Sequence, residues 1–168
     1  MGSRTRTNST SGQACIEMAI ALLVLIPMLL GVYDFACAIR ASNSISNMSR
    51  EGANMASRLP DRRQDIMNAL AVTAQPLDMK ANGMIYITQL QGDKIVSQVG
   101  WQSGDLNGVI SSRIGTPTAA EPTPVAHGVN AALGPTQTAY VVEVFYNYHS
   151  LFSSSGLLGR QLYAKSLF

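Results

Sequence analysis

The chain has 168 residues, 46% hydrophobic and only 13% charged, with a mean hydropathy of +0.12. Soluble domains carry roughly 25% charged residues, so this composition argues against an ordinary cytosolic enzyme. The net charge of +2 lacks the basic excess of a nucleic-acid-binding surface, and two cysteines with two histidines leave little material for a metal cage.

The hydrophobicity is concentrated near the front. Residues 1–12, MGSRTRTNSTSG, are polar and basic, with Arg4 and Arg6 and no apolar side chain after Met1. Met18 to Tyr33 then runs for 16 residues without a charge, and beyond Asp34 the apolar stretch continues to Ile39. A membrane-crossing helix needs roughly 20 such residues, so the segment is long enough to span a bilayer. Pro27 falls inside it, where proline is tolerated as a kink. A buried core helix is the alternative, but nothing else in the chain is large enough to wrap the segment on all sides.

Three membrane readings follow. A secretory signal would be cut after Ala36-Cys37-Ala38, a small-x-small site, releasing a soluble domain from Ile39. Its leader would be 38 residues long, with Asp34 just before the cut. A lipoprotein signal ending at Cys15 fails, because the apolar run should precede that cysteine and here it follows. The third reading concerns Glu17, a carboxylate at the mouth of an apolar helix. At the bilayer centre an acid costs roughly 2.5–3.5 kcal/mol, and less towards the interface, so Glu17 asks for a partner.

The run Gly12-Gln13-Ala14-Cys15-Ile16-Glu17 before the apolar stretch resembles a type IV prepilin processing site, in which a basic leader ends in Gly and Glu stands fifth in the mature chain. With Pro27, Gly31 and Asp34-Phe35, it is similar to the start of TadE-like minor pilins of tight-adherence (Tad/Flp) pili. Ser49-Arg50-Glu51-Gly52-Ala53 resembles the family's R-E-[GA]-A segment, and the run from Tyr140 to Tyr148 resembles its alternating β segment. The first 60 residues carry most of the likeness. Met18, where an aromatic is common, and the two cysteines depart from the pattern. The resemblance implies cleavage by a prepilin peptidase between Gly12 and Gln13. It also implies insertion in the bacterial inner membrane, a periplasmic or extracellular C-terminal domain, and assembly with other Tad pilus minor and major pilins. Residues 13 and 17 are i,i+4 neighbours, so an amine freed at Gln13 would stand near Glu17 of its own or an adjacent subunit. In a helix starting near Gln13, Glu17 would also lie in the first turn, where the helix dipole favours an anion.

Beyond the span, Ile45, Met48, Gly52, Met55 and Leu59 step by three and four, a single stripe at helical period that would hold the domain on a stalk. Pro60 ends the run, since the residue before proline is pushed out of the helical region. A helix from Ala14 to Leu59 would be about 69 Å long at about 1.5 Å per residue. The expected organisation is therefore a leader over 1–12, a transmembrane helix over 13–39, its stalk continuation over 40–60 and an extracytoplasmic α+β domain over 61–168.

Within that domain Asp61 is a candidate cap for a helix over Arg62–Val72 that ends before Gln75-Pro76. Met84–Leu90 and Lys94–Trp101 are strand-like around a Gln91-Gly92-Asp93 turn. A helical turn is expected within Asp105–Ile114 and loop over Thr116–Gln137. Thr138–Tyr148 alternates, with Val142, Val144 and Tyr146 on one face and Glu143 and Asn147 on the other. Leu162–Phe168 would be a last strand with Leu162 and Ala164 inward. The whole predicts an α+β fold, a long helix laid on a three- or four-stranded antiparallel sheet.

Candidate chemistry is sparse. His127 and His149 have no Cys or carboxylate at metal-ligand spacing. Ser153-Ser154-Ser155 lacks a G-x-S-x-G setting, and Gly156-Leu157-Leu158-Gly159 lacks the pattern of a phosphate-cradling loop. Cys15 and Cys37 stand about 33 Å apart by helical rise, too far to bond to each other. The expectation is a non-enzymatic protein that takes no cofactor, metal, nucleic acid or small-molecule substrate. The competing readings are a periplasmic binding domain released after Ala38 and an uncleaved single-span anchored protein.

Overall fold

The computed structural model describes residues 10–129, 133–150 and 160–168. The first nine residues with Arg4 and Arg6, residues 130–132 of the long loop, and the Ser153-Ser155 and Gly156-Gly159 motifs lie outside the described residues. The architecture is α+β, a long N-terminal apolar helix whose later turns pack on a four-stranded antiparallel sheet. Helix α1 runs Thr10–Arg58, α2 Arg63–Thr73 and α3 Met79–Asn82. Strands β1 (Gly83–Gln91), β2 (Lys94–Gly100), β3 (Thr138–Tyr148) and β4 (Arg160–Leu167) form one sheet in the order β2-β1-β3-β4. The chain divides into two compact units, one ending at Cys37 and the other Ala38–Phe168.

In the second unit the sheet is antiparallel throughout. Gly92-Asp93 turns the first hairpin, closed by the Gln91–Lys94 pair. Gly92 has φ +61, a left-handed conformation that glycine reaches without steric cost. The alternation of β3 puts Val142 and Val144 towards the helices, beside Ile87 and Ile85 in register. Glu143, Val141 and Phe145 point to the opposite face. Tyr140 and Tyr146 extend the helix-side row, and Arg63 of α2 lies 5.9 Å over the Tyr140 ring. Leu162 and Ala164 of β4 are half-buried against the same core.

Helix α1 enters this core through Ala41, Ile45, Met48, Ser49, Gly52, Ala53 and Ala56. Gly52 permits the approach: a Cβ there would stand 2.8 Å from Leu70 Cδ1 and 3.1 Å from Val142 Cγ1. A larger side chain there would have to displace the Leu70 and Val142 methyls or the helix itself, and such overpacking typically costs about 1–3 kcal/mol. Ser49 also meets Ser166 of β4 at 3.0 Å. Of the five stripe residues, Ile45, Met48 and Gly52 are buried and Met55 is half-buried, whereas Leu59 is 53% exposed. The inward stripe ends at Ala56, because the helix stops at Arg58 and Leu59 has already left its rotation.

Local punctuation differs from expectation in two places. Asp61 does not cap α2. Arg62 takes the N-cap position without a side-chain hydrogen bond, and the chain turns instead through Arg62 N–H to Leu59 O at 3.2 Å. Arg63 then anchors the helix start by donating to Pro60 O, Ser97 Oγ and Gln89 Oε1 at 2.7–2.9 Å. Second, the one-turn helix α3, unforeseen from the pattern, is capped by Asp78, whose carboxylate accepts from Ala81 N–H at 3.1 Å. The helical turn expected within Asp105–Ile114 is present as hydrogen-bonded turns, with Val109 N–H and Ile110 N–H donating to Leu106 O at 3.0 and 3.3 Å.

Candidate processing and assembly site

The described residues of the first unit, 10–37, are one stretch of helix, and none of their large apolar side chains is buried. Its large apolar side chains face outward: Ile16, Ile20, Val24, Met28 and Phe35 are all more than 60% exposed. The opposite side is no better covered, with Leu22, Leu25 and Leu30 at 42–50%. Helix α1 is long and apolar enough to cross a membrane, and none of its most apolar window is buried. An apolar surface uncovered on every side is not the stripe of a soluble helix. It is stable only when lipid or other apolar helices surround it, and each side chain so covered contributes about 1.5–3 kcal/mol. Pro27 sits within this stretch without ending the helix.

At its N-terminal end the helix has begun by Thr10, so Gly12, Gln13 and Glu17 all lie on helical backbone, and Glu17 stands beyond the first turn rather than in it. Gln13 Nε2 donates to Glu17 Oε1 at 2.9 Å, the i,i+4 pairing anticipated from their spacing. Both side chains are exposed. A Cβ added at Gly12 would meet nothing within 4 Å, and the residue is exposed. Glu17 is followed by the uncharged run, and the Gln13 amide satisfies one of its oxygens. Cys15 is exposed and Cys37 half-buried, and both are free thiols.

Among the described residues no group of His, Cys, Asp or Glu could hold a metal ion. His149 is exposed and meets Asn82 Oδ1 at 3.1 Å, and His127 is exposed on the long loop.

The polar group that sequence reasoning placed wrongly in importance is Glu143. Assigned to the polar face of β3, it is fully buried. Ser112 Oγ donates to its Oε2, while Arg113 N–H and Tyr163 O–H donate to its Oε1 at 3.0 and 2.9 Å. Burial pushes the Tyr163 phenol up, and the Glu143 charge and its hydrogen bond push it further against the opposing Arg113. Tyr86 is also raised, by burial and then by Glu143. The signal was present in the run Val141-Val142-Glu143-Val144-Phe145. Apolar residues on both phases of the alternation mark a strand covered on both faces, and Glu143 shares its phase with Val141 and Phe145.

Residues 12–54 match the family model described as TadE-like protein, the stretch that carries Gly12, Gln13, Glu17, Pro27 and Gly52. No curated protein and no solved structure matches the chain.

Proposed function

We propose that this chain, TadE-like through residues 12–54, is a minor pilin or pseudopilin of a Tad (type IVc-like) pilus. In this reading it is a non-enzymatic protein held in the inner membrane by residues 13–39. A prepilin peptidase removes residues 1–12, residues 40–60 continue the helix as a stalk, and residues 61–168 form an extracytoplasmic domain. The observation that carries it is the uncovered apolar helix with Gln13 and Glu17 paired at its mouth. Lipid covers that surface before assembly, and the apolar helices of other pilins cover it afterwards, so one segment serves as anchor and as subunit interface. Cutting after Gly12 leaves an amine at Gln13 one helical turn from Glu17. A charge pair there neutralises a carboxylate that must enter apolar surroundings.

N-terminal sequencing of the protein from native membranes tests the processing step. The expected first residue is Gln13, whereas a chain beginning at Met1 or Gly2 would identify an uncleaved anchor. A start at Ile39 would identify a released periplasmic domain, a reading favoured by the compact unit that begins at Ala38. Glu17→Ala should still insert in the membrane, but its co-recovery with the other pilins should fall at least several-fold. Recovery equal to wild type would remove Glu17 from assembly.

A further inference from the structure

The face of the sheet opposite the helices is covered by irregular chain. Residues 111–129 cross it as a strap that doubles back on itself, its two legs joined by His127 N–H to Ile114 O at 2.8 Å. The returning leg is tied to the β2 hairpin through backbone: Ile95 N–H donates to Pro124 O and Ala126 N–H to Asp93 O, both at 2.8 Å. The outgoing leg, residues 111–115, has no such ladder. It rests on one small apolar cluster of Leu90, Ile95, Ile114 and Val141, separate from the main core, and on polar contacts that converge near Glu143. It rests also on the Arg113 guanidinium, which lies over Tyr163 (4.4 Å) and Phe145 (5.7 Å) and donates to Gln161 Oε1 at 3.0 Å. Gln98 Nε2 shares its two N–H groups among Thr88 Oγ1, Ser112 Oγ and Gly115 O at 2.9–3.1 Å, and Ser112 Oγ in turn donates to Glu143 Oε2.

We propose that Glu143 is the latch of this strap, and that the 111–115 leg opens as a local unit while the β2 side acts as its hinge. Two of the three donors to Glu143 belong to the strap, Ser112 Oγ and Arg113 N–H, and the third, Tyr163, belongs to β4. A buried carboxylate is tolerated only while its hydrogen bonds are complete, so closure depends on all three together. Opening returns Glu143 to water and uncovers Leu90 and Val141, leaving the β1–β3 ladder and the helix-side core in place. Segments held by few buried apolar contacts are those that open below the global unfolding free energy.

The direction of the donors makes Glu143→Gln a discriminating variant. Its size is unchanged, but the new amide must donate towards Ser112 Oγ, which already accepts from Gln98. The Ser112 proton then loses its acceptor. Residue-resolved hydrogen exchange on the full chain in detergent micelles should show the Arg113 and His127 amides exchanging at least tenfold faster than in wild type. The Ile95 and β1–β3 amides should be unchanged. Uniform acceleration across β1 and β3 would make Glu143 a plain core residue, and no acceleration would deny it the latch; either overturns the proposal. Ser112→Ala keeps the carboxylate and removes one strap donor, so it decides the matter should Glu143→Gln not fold. It should speed the same two amides, and unchanged rates there would refute the latch.

Discussion

Replacing Leu25 and Leu29 together with arginine is expected to remove the chain from the membrane. The two residues are four apart on one side of α1, 50% and 59% exposed, and near the middle of the 22-residue apolar stretch between Met18 and Ile39. Each arginine at a helix centre costs roughly 2.5–3.5 kcal/mol on insertion scales, while each Leu, Ile, Phe or Val contributes about 0.3–0.6 kcal/mol. Two substitutions therefore offset most of what the whole stretch supplies. Because neither side chain is part of the core of the unit Ala38–Phe168, the domain should keep its fold and its thermal transition. The measurement is the fraction of protein retained in alkali-washed membranes, with the paired Leu25→Ala and Leu29→Ala variant as the control that stays. Retention of the arginine variant at the wild-type level would mean that lipid does not cover this helix.

Phe145→Ala should produce the largest loss of domain stability. The side chain is fully buried on β3, edge-on to Tyr86 at 6.2 Å and tilted against Tyr163 at 5.0 Å between ring centroids. Truncating a buried phenylalanine costs about 3–5 kcal/mol, from lost transfer energy and the cavity left behind. A domain of this size has a total stability of roughly 6–20 kcal/mol, so the change removes a large share. The expected fall in Tm is on the order of 10–20 °C, read by circular dichroism on the detergent-solubilised chain. Phe145→Leu, which keeps most of the volume, should lose less than half as much. A loss below about 1 kcal/mol for the alanine variant would show that this region repacks freely, against the close packing expected of protein interiors.

The segments that carry these predictions were legible in the sequence to different degrees. The apolar stretch with Pro27 could be read from composition alone, because a helix needing lipid must be apolar on all sides. The pairing of Gln13 with Glu17 followed from helical period. Strand β3 was bounded correctly at Thr138–Tyr148, since an alternating run of β-branched and aromatic residues carries its own period. The hairpin around Gly92-Asp93 was legible for the same local reason, a turn pair between two strand-like runs. Less was legible where the outcome depended on a partner distant in sequence. Leu59 fits the stripe by spacing but is exposed, because the helix ends one residue earlier. Asp61 is a good cap by type, yet the Arg63 side chain, held by Ser97 and Gln89 on the sheet, sets the helix start one residue later.

Local period and composition thus determined the long apolar helix, its stripe as far as Met55, the strands and the alternation within them. Those properties depend on residues within a few positions of one another, and backbone geometry repeats them wherever the pattern recurs. Tertiary structure alone decided what covered each face. The helix face of the sheet was filled by α1 and α2, as amphipathic spacing suggested. The run Val141–Phe145 carried the signal that the other face is covered too, but not that a loop without period covers it, nor that Ser112, Arg113 and Tyr163, 20 to 31 residues away, supply the donors to Glu143. A carboxylate in a strand reads as solvent-facing by itself. Donors brought to it by the rest of the fold are what allow it to be buried.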